Sequence, residues 1–440
     1  MTRVVALADS DSYLKWSAAT LSAMPAQWHC EQWLIRNPIA PSPAQVEAAT
    51  DLEVQRISAV QAIRRLQADP PEVLLLAATG PVVQTFLRFG ALRLRSRRPV
   101  LVTGLPGISI PATERALEFR SGCDLFLLHS HREIGEFSAA ARRLDVPIRF
   151  GLATLPFINQ ALPSINQARA EVGSCGGTAE SAVDDQLDSE RRSGRRIVFA
   201  AQAKVPAAEE EREQVLRAFA AMPPEQQVVV KLRALAGEQQ THRELLPYQE
   251  LWDGLVQREG YAPELIEFVA GSMVDALADA DGFATVSSTA ALEAIGTGVP
   301  IIVLTDFGVS AETINEVFVG SGCLGTLEDL AAGRLRQPAA EWLRDNYFHP
   351  AEDADWVQRI TDLVRERERQ GLNQARIRVV DGRWRQGQRH LRLLLPRPLL
   401  RLSGHVLRRV KRVRRKVRRL VRGTPAPDPA GGEGQDATAA

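Results

Sequence analysis

The sequence predicts an α/β protein with two Rossmann-like, doubly wound domains facing a cleft, followed by a basic amphipathic C-terminal helix. Three observations carry this reading. Short apolar runs alternate with helical segments through residues 1–158, the pattern of a parallel sheet covered by helices. The alternation stops in a polar, Gly- and Ser-containing interval over 159–195 and resumes at residue 196. Charge is partitioned as well. Residues Arg383–Arg422 hold 16 Lys/Arg and no acid, which leaves 38 basic and 50 acidic residues over 1–382, a net of −12 in a chain whose overall charge is +1.

The elements follow in order. Val4–Ala8 is a short apolar strand running into Asp9-Ser10-Asp11-Ser12, and a helical pattern continues to Met24. Val73–Ala77 reads as a buried strand and Val82–Leu94 as a helix. Val100–Thr103 reads as a strand entering the loop Gly104–Gly107, and Pro111–Arg120 as a helix with Pro in its first turn. Asp124–His129, His131–Leu144 and Ile148–Leu152 continue as strand, helix and strand, while Gln45–Ala68 fits neither template clearly. In the second half, Arg196–Ala201, Gln227–Leu232 and Leu265–Phe268 read as strands, and Ala207–Met222 and Val274–Ala280 as helices. Helical runs in Trp342–Gln370 are placed to return to the first domain. The expected divisions are 1–158, a connection over 159–195, 196–370, a basic segment over 371–422 and a Pro/Gly/Ala-rich tail over 423–440.

Several classes are disfavoured. No run of about 18 apolar residues occurs, so no transmembrane helix is expected. The N-terminus lacks the pattern of a secretory signal. The four cysteines (Cys30, Cys123, Cys175, Cys323) form no metal-ligand spacing, which fits a reducing, cytoplasmic setting. Neither GxGxxG after the first strand nor GxxxxGK[ST] anywhere is present, against a dinucleotide enzyme or a P-loop NTPase.

The most informative stretch is Asp281–Leu304, DGFATVSSTAALEAIGTGVPIIVL. It reads as a short apolar entry, a loop with the hydroxyl triplet Ser287-Ser288-Thr289, an Ala-rich helix carrying Glu293, a Gly-x-Gly stop and a buried strand. Hydroxyls at a helix start suit an anion, and a glutamate one turn along suits sugar hydroxyls, a combination that fits a nucleotide. Ordinary helix capping and sheet packing explain the same residues without a ligand.

Glu293-Ala294 followed by Gly298-Val299-Pro300 resembles the C-terminal-domain signature of GT-B glycosyltransferases, and the hydroxyl triplet is similar to the Ser-Ser/Thr motif of bacterial sialyltransferases and capsule polymer transferases. The chain as a whole resembles an actinobacterial family of glycosyltransferases. The resemblance implies that Ser287, Ser288 and Thr289 hold a donor phosphate and Glu293 the donor ribose. It places Lys231 and Arg233 where related families carry a His-Pro pair or a base facing the phosphates, with Gln202 and Lys204 also within reach of the donor. Lys-Leu-Arg replaces His-Pro here, so no histidine acid is implied at that point.

Transfer also needs a base for the acceptor hydroxyl, which the first domain must supply. Asp9 and Asp11 are the leading candidates, with helix capping as the competing explanation. His129 is a further candidate, although Ser130 and Glu133 have the spacing of a capping box, which favours a structural reading of that strand end. His242-Arg243 resembles a motif of UDP-sugar 2-epimerases but follows the wrong strand.

In Ser403–Arg422, Val406, Val410, Val413, Val417 and Leu420 recur at steps of 4, 3, 4 and 3, one narrow apolar stripe among Lys and Arg. That pattern favours an anionic membrane surface over nucleic acid as partner. The combined expectation is a metal-independent glycosyltransferase without cofactor, held peripherally at the inner face of the cell membrane. It would use a nucleotide-sugar donor and a glycan or lipid-linked acceptor of the cell envelope. The alternatives are a nucleotide-sugar epimerase of the same fold and a non-catalytic nucleotide- or glycan-binding protein.

Overall fold

The computed structural model describes residues 2–37, 40–47, 49–89, 98–155, 158, 195–202, 205–232, 246–271, 273–372, 377–380 and 382–394. The expected contributions of Lys204, Arg233, His242-Arg243 and the valine stripe of Ser403–Arg422 lie outside the described residues.

The first half alternates strand and helix: β1 (Arg3–Ala8), α1 (Asp11–Ser22), β2 (His29–Ile35), α2 (Pro43–Glu47), β3 (Val54–Ile57), α3 (Ala59–Ala68), β4 (Val73–Ala77), α4 (Gly80–Phe89), β5 (Val100–Gly104), α5 (Glu114–Arg120), β6 (Leu125–Leu128), α6 (His131–Leu144) and β7 (Arg149–Leu152). The strands form one parallel sheet in the order β3-β2-β1-β4-β5-β6-β7. Its central strands β4 and β5 are buried from end to end and β1 from Val4 onward, as expected of a parallel sheet covered on both faces. The ambiguous Gln45–Ala68 stretch resolves into two short helices and an edge strand. Strand β2 escapes a sequence reading because it opens on polar residues and buries Gln32, whose amide reaches Ser17 Oγ at 3.1 Å.

The second series runs β8 (Arg195–Ala200), α7 (Glu209–Ala220), β9 (Gln226–Lys231), α8 (Tyr248–Glu259), β10 (Ile266–Val269), α9 (Met273–Ala278), β11 (Gly282–Thr285), α10 (Ala290–Gly296), β12 (Ile301–Leu304), β13 (Leu324–Gly325), α11 (Leu327–Ala331) and α12 (Ala340–Asp345). Its sheet order is β10-β9-β8-β11-β12-β13, again all parallel. Apolar clusters cover both faces, one containing Phe283, Ala291 and Ile295, the other Phe199, Val215 and Trp252.

Helix α13 (Trp356–Gln370) then returns to the first sheet. Trp356, Ile360, Leu363 and Val364, spaced 4, 3 and 1, share one face and join the core formed by α1 and the first sheet. The basic segment forms a separate unit, in which α14 (Arg383–Leu394) is described. No helix among the described residues is long and apolar enough to cross a membrane.

Candidate functional site

Both sheets follow the order 3-2-1-4-5-6 in their own strand counts, the first adding a seventh strand. In such a sheet the crossovers on either side of the first strand leave it in opposite directions. A crevice therefore opens at the carboxyl ends of its first and fourth strands, where ligands bind. The protein has two such points, between β1 and β4 and between β8 and β11.

At the second point the residues after β8 meet those after β11. The Gln202 side-chain amide donates to the Ser287 carbonyl. Gln202 Oε1 and Ser287 Oγ are both buried without a hydrogen-bond partner, and Ser287 is only 7 % exposed. Unmet polar atoms are costly inside a protein, so two of them side by side mark a place where a polar ligand group fits. Ser288 Oγ accepts from the Ala290 amide at 3.1 Å, and Thr289 is the residue before the helix.

Helix α10 spans seven residues, so its dipole adds little. The polar groups around it carry the site instead. Its buried Ala290, Ala291 and Ala294 keep it close against the sheet, and it ends at Gly298, whose φ of +80° only glycine adopts readily. Glu293 is half-buried, and burial pushes its carboxyl above the ordinary value, opposed by the charges of Lys231 and Lys15. Lys231, at the carboxyl end of β9, is 7 % exposed and donates to the Leu232 carbonyl at 2.7 Å. Thus four of the sequence-derived positions (Gln202, Ser287, Ser288 and Thr289) lie together, and Lys231 and Glu293 lie within electrostatic reach of each other.

Lys15 is the residue sequence reasoning missed. It lies on α1 of the first domain, pairs with Asp11 at 2.9 Å, and its charge acts on Glu293 of the second. The signal available was the Asp11/Lys15 spacing of four on a helix that starts at a strand end. The loop after β5 also faces this region, since a side chain at Gly107 would come within 3.7 Å of Thr289 Cγ2. Gly104 has another cause: a Cβ there would lie 2.3 Å from the Trp16 ring.

The first domain's strand ends carry several internal bonds, while Asp9 Oδ1 is buried without a partner. Asp9 is fully buried; its Oδ2 accepts from the Thr79 amide at 2.9 Å and the Thr79 hydroxyl at 2.5 Å, clamping β1 to the end of β4. Burial raises its pKa, with the Thr79 bonds opposing. His129 is 1 % exposed. Its Nδ1 lies 2.9 Å from the Ala153 carbonyl, and its Nε2 lies 2.9 Å from Trp16 Nε1 and 3.0 Å from the Leu105 carbonyl. Burial pushes it down to about 4, so the ring is neutral at neutral pH and its nitrogens are engaged.

Ser130 caps α6 by accepting from the Glu133 amide at 3.0 Å, as the spacing suggests. The second half of the capping box is displaced by one residue. Glu133 turns its carboxyl to the His129 amide (2.8 Å), the Ser109 amide (2.9 Å) and the Tyr347 hydroxyl (2.7 Å). Burial raises it to about 7. Asp11, by contrast, opens α1 at partial exposure, with Ser10 rather than Asp11 or Ser12 as the N-cap residue. Of the three base candidates, Asp11 alone is partly exposed, and it pairs with Lys15. Among the described residues no cluster of three or more His, Cys, Asp or Glu has metal-binding proximity.

A family's sequence pattern matches the chain over residues 4–363. The chain belongs to the family described as "Putative glycosyltransferase (DUF6716)". No curated protein matches this glycosyltransferase. Among solved structures it is similar to the S. aureus MnaA–UDP co-structure (11 % identity, 80 % of this chain and 91 % of that one, TM-score 0.48). It is also similar to Anabaena Alr3699/HepE in complex with UDP and glucose (14 %, 83 % and 100 %, 0.45) and to UDP-GlcNAc 2-epimerase from Methanocaldococcus jannaschii (13 %, 82 % and 99 %, 0.48).

Proposed function

We propose that this glycosyltransferase moves a sugar from a nucleotide-activated donor to a cell-envelope glycan or glycolipid precursor at the cytoplasmic face of the membrane. The observation that carries the donor half is the switch point of the second sheet, where the buried, unpartnered Gln202 Oε1 and Ser287 Oγ sit beside Ser288 and Thr289. The hydroxyls and exposed amides there hold the donor phosphates. Lys231, joined by Lys204 and Arg233 as the sequence resemblance implies, offsets the charge that grows on the leaving phosphate. Glu293 accepts from the ribose hydroxyls, and in this reading no metal is needed.

Asp11 takes the acceptor proton. Its carboxylate opens α1, partly exposed and 2.9 Å from the Lys15 ammonium, where it can accept a proton from an acceptor hydroxyl. Asp9 and His129 serve instead to hold β1, β4 and β6 in place. The basic segment Ser403–Arg422 supports the membrane half of the reading, since about 1 kcal/mol per basic residue is available near an anionic leaflet.

The test is a thermal-shift screen of the full chain against CMP, CDP, UDP, GDP and their sugars, with and without EDTA. Stabilisation by one nucleotide class, insensitive to EDTA and lost in Glu293→Ala and Ser288→Ala, is the expected result. Stabilisation by none sinks the donor site. Conversion of a nucleotide-sugar with no acceptor present would point to an epimerase. Unchanged partitioning to anionic vesicles after deletion of 383–440 would remove the membrane assignment.

A further inference from the structure

A groove of 540 Å³ runs down the first domain beside α1. Lys15, Ala19, Ser22 and Ala23 line one wall, at the spacing of a single helix face. Facing them are Thr154 and Trp356 near the strand ends and the segment 50–52 ahead of β3. From Lys15 to Ala23 the helix rises about 12 Å, so the groove is elongated. Its volume falls within the roughly 300–1,000 Å³ usual for small-molecule sites.

The lining selects a ligand class. Small side chains at positions 19, 22 and 23 give depth, and Ser and Thr supply hydroxyls. One ammonium (Lys15) is balanced by one carboxylate (Asp51). An acyl chain needs a continuous apolar lining and a phosphate needs clustered cations; this groove offers neither. A neutral chain rich in hydroxyls fits it. The groove's upper end is Lys15, which pairs with Asp11 at 2.9 Å and whose charge is felt by Glu293 in the second domain.

We propose that the groove along α1 is the acceptor channel, holding an uncharged glycan chain whose terminal hydroxyl emerges at Asp11 and Lys15. The proposal rests on the donor site assigned above. In the step it implies, the terminal hydroxyl oxygen bonds to the anomeric carbon of the donor sugar. The bond from that carbon to the phosphate oxygen breaks, its electron pair leaves with the nucleotide, and the hydroxyl proton passes to Asp11.

The experiment is saturation-transfer NMR on the full chain with neutral trisaccharides of glucose and of N-acetylglucosamine, paired with calorimetry of UDP, GDP and CMP. Wild type and Ser288→Ala are expected to bind a trisaccharide. Ala19→Trp and Ala23→Trp are expected to weaken that binding at least tenfold while nucleotide affinity stays at the wild-type value. Position 23 is exposed, so Ala23→Trp carries the test should Ala19→Trp unfold. Failure of wild type to bind either trisaccharide, or wild-type affinity in both Trp variants, overturns the proposal. Trisaccharide binding without binding of any nucleotide would instead sink the donor site and leave the groove standing.

Discussion

The two sheets share a strand order, yet their switch points are finished in opposite ways. In the first, the crevice between β1 and β4 is clamped by Asp9 on Thr79, and the neighbouring strand ends are tied by His129 and Glu133. In the second, Gln202 Oε1 and Ser287 Oγ are buried without partners and the lysine and glutamate nearby belong to different elements. The same topology thus yields one point where Asp9 Oδ2 is bonded to Thr79 while its Oδ1 is buried unpaired, and one where an amide oxygen and a hydroxyl are both unpaired. The carboxyls differ at the two: at the first Asp9 Oδ2 is held by protein donors, and at the second Glu293 remains half-open. What a strand-end acid does depends on whether the fold has already satisfied it.

The comparison can be broken most directly at the base. Asp11→Asn is expected to slow transfer by about 10²- to 10⁴-fold, the usual worth of a positioned base, with nucleotide binding unchanged. If Asp9→Asn gives that loss and Asp11→Asn does not, the first switch point is catalytic and the contrast fails. Next in size, Glu293→Ala should weaken nucleotide binding by roughly tenfold to a hundredfold, the worth of a charged hydrogen bond, without lowering the melting temperature. A stability loss with unchanged nucleotide affinity would make Glu293 a packing residue.

Glu133 sharpens the comparison through pH. Its carboxyl titrates at about 7 in the folded protein and at the ordinary 4.5 when unfolded. As pH rises between those values the unfolded chain releases its proton first, so stability falls with rising pH, by up to roughly 3 kcal/mol. Denaturant titrations across this window should show that slope in wild type and its loss in Glu133→Gln. The smallest effect is expected at the clamp. Asp9→Ala leaves the Thr79 amide without its acceptor and should cost about 1–3 kcal/mol of unfolding free energy. A neutral outcome would mean that the first switch point is not held shut by this bond.

Much of this was legible in the chain. Val73–Ala77, His131–Leu144 and Ile301–Leu304 have the bounds read from sequence, because a continuous apolar run or a 3.6-residue repeat is a local signal. The Ser287-Ser288-Thr289 triplet reads from sequence as a loop ahead of a helix, and the structure adds that a strand, β11, precedes it. Helix α8 was not seen, since half of its residues are polar and its burial comes from packing beside α7. The site was harder than the fold. Asp9, Asp11 and His129 all follow strands; sequence sets Asp9 and Asp11 level, with His129 behind them because of the Ser130/Glu133 spacing. Burial separates them, and burial is set by residues far along the chain: Thr79 for Asp9, Trp16 and Ala153 for His129.

The sequence by itself determined the alternation of strands and helices, the two series, the split of charge between body and basic segment, and the hydroxyl triplet ahead of a helix. These depend on periodicity and composition within a few residues. Tertiary structure alone decided that β8 lies beside β11, so that Gln202 meets Ser287, and that Lys15 of one domain acts on Glu293 of the other. It also decided which acids are sealed. Crossover connections bring together residues up to hundreds of positions apart, and local patterns hold no record of those meetings.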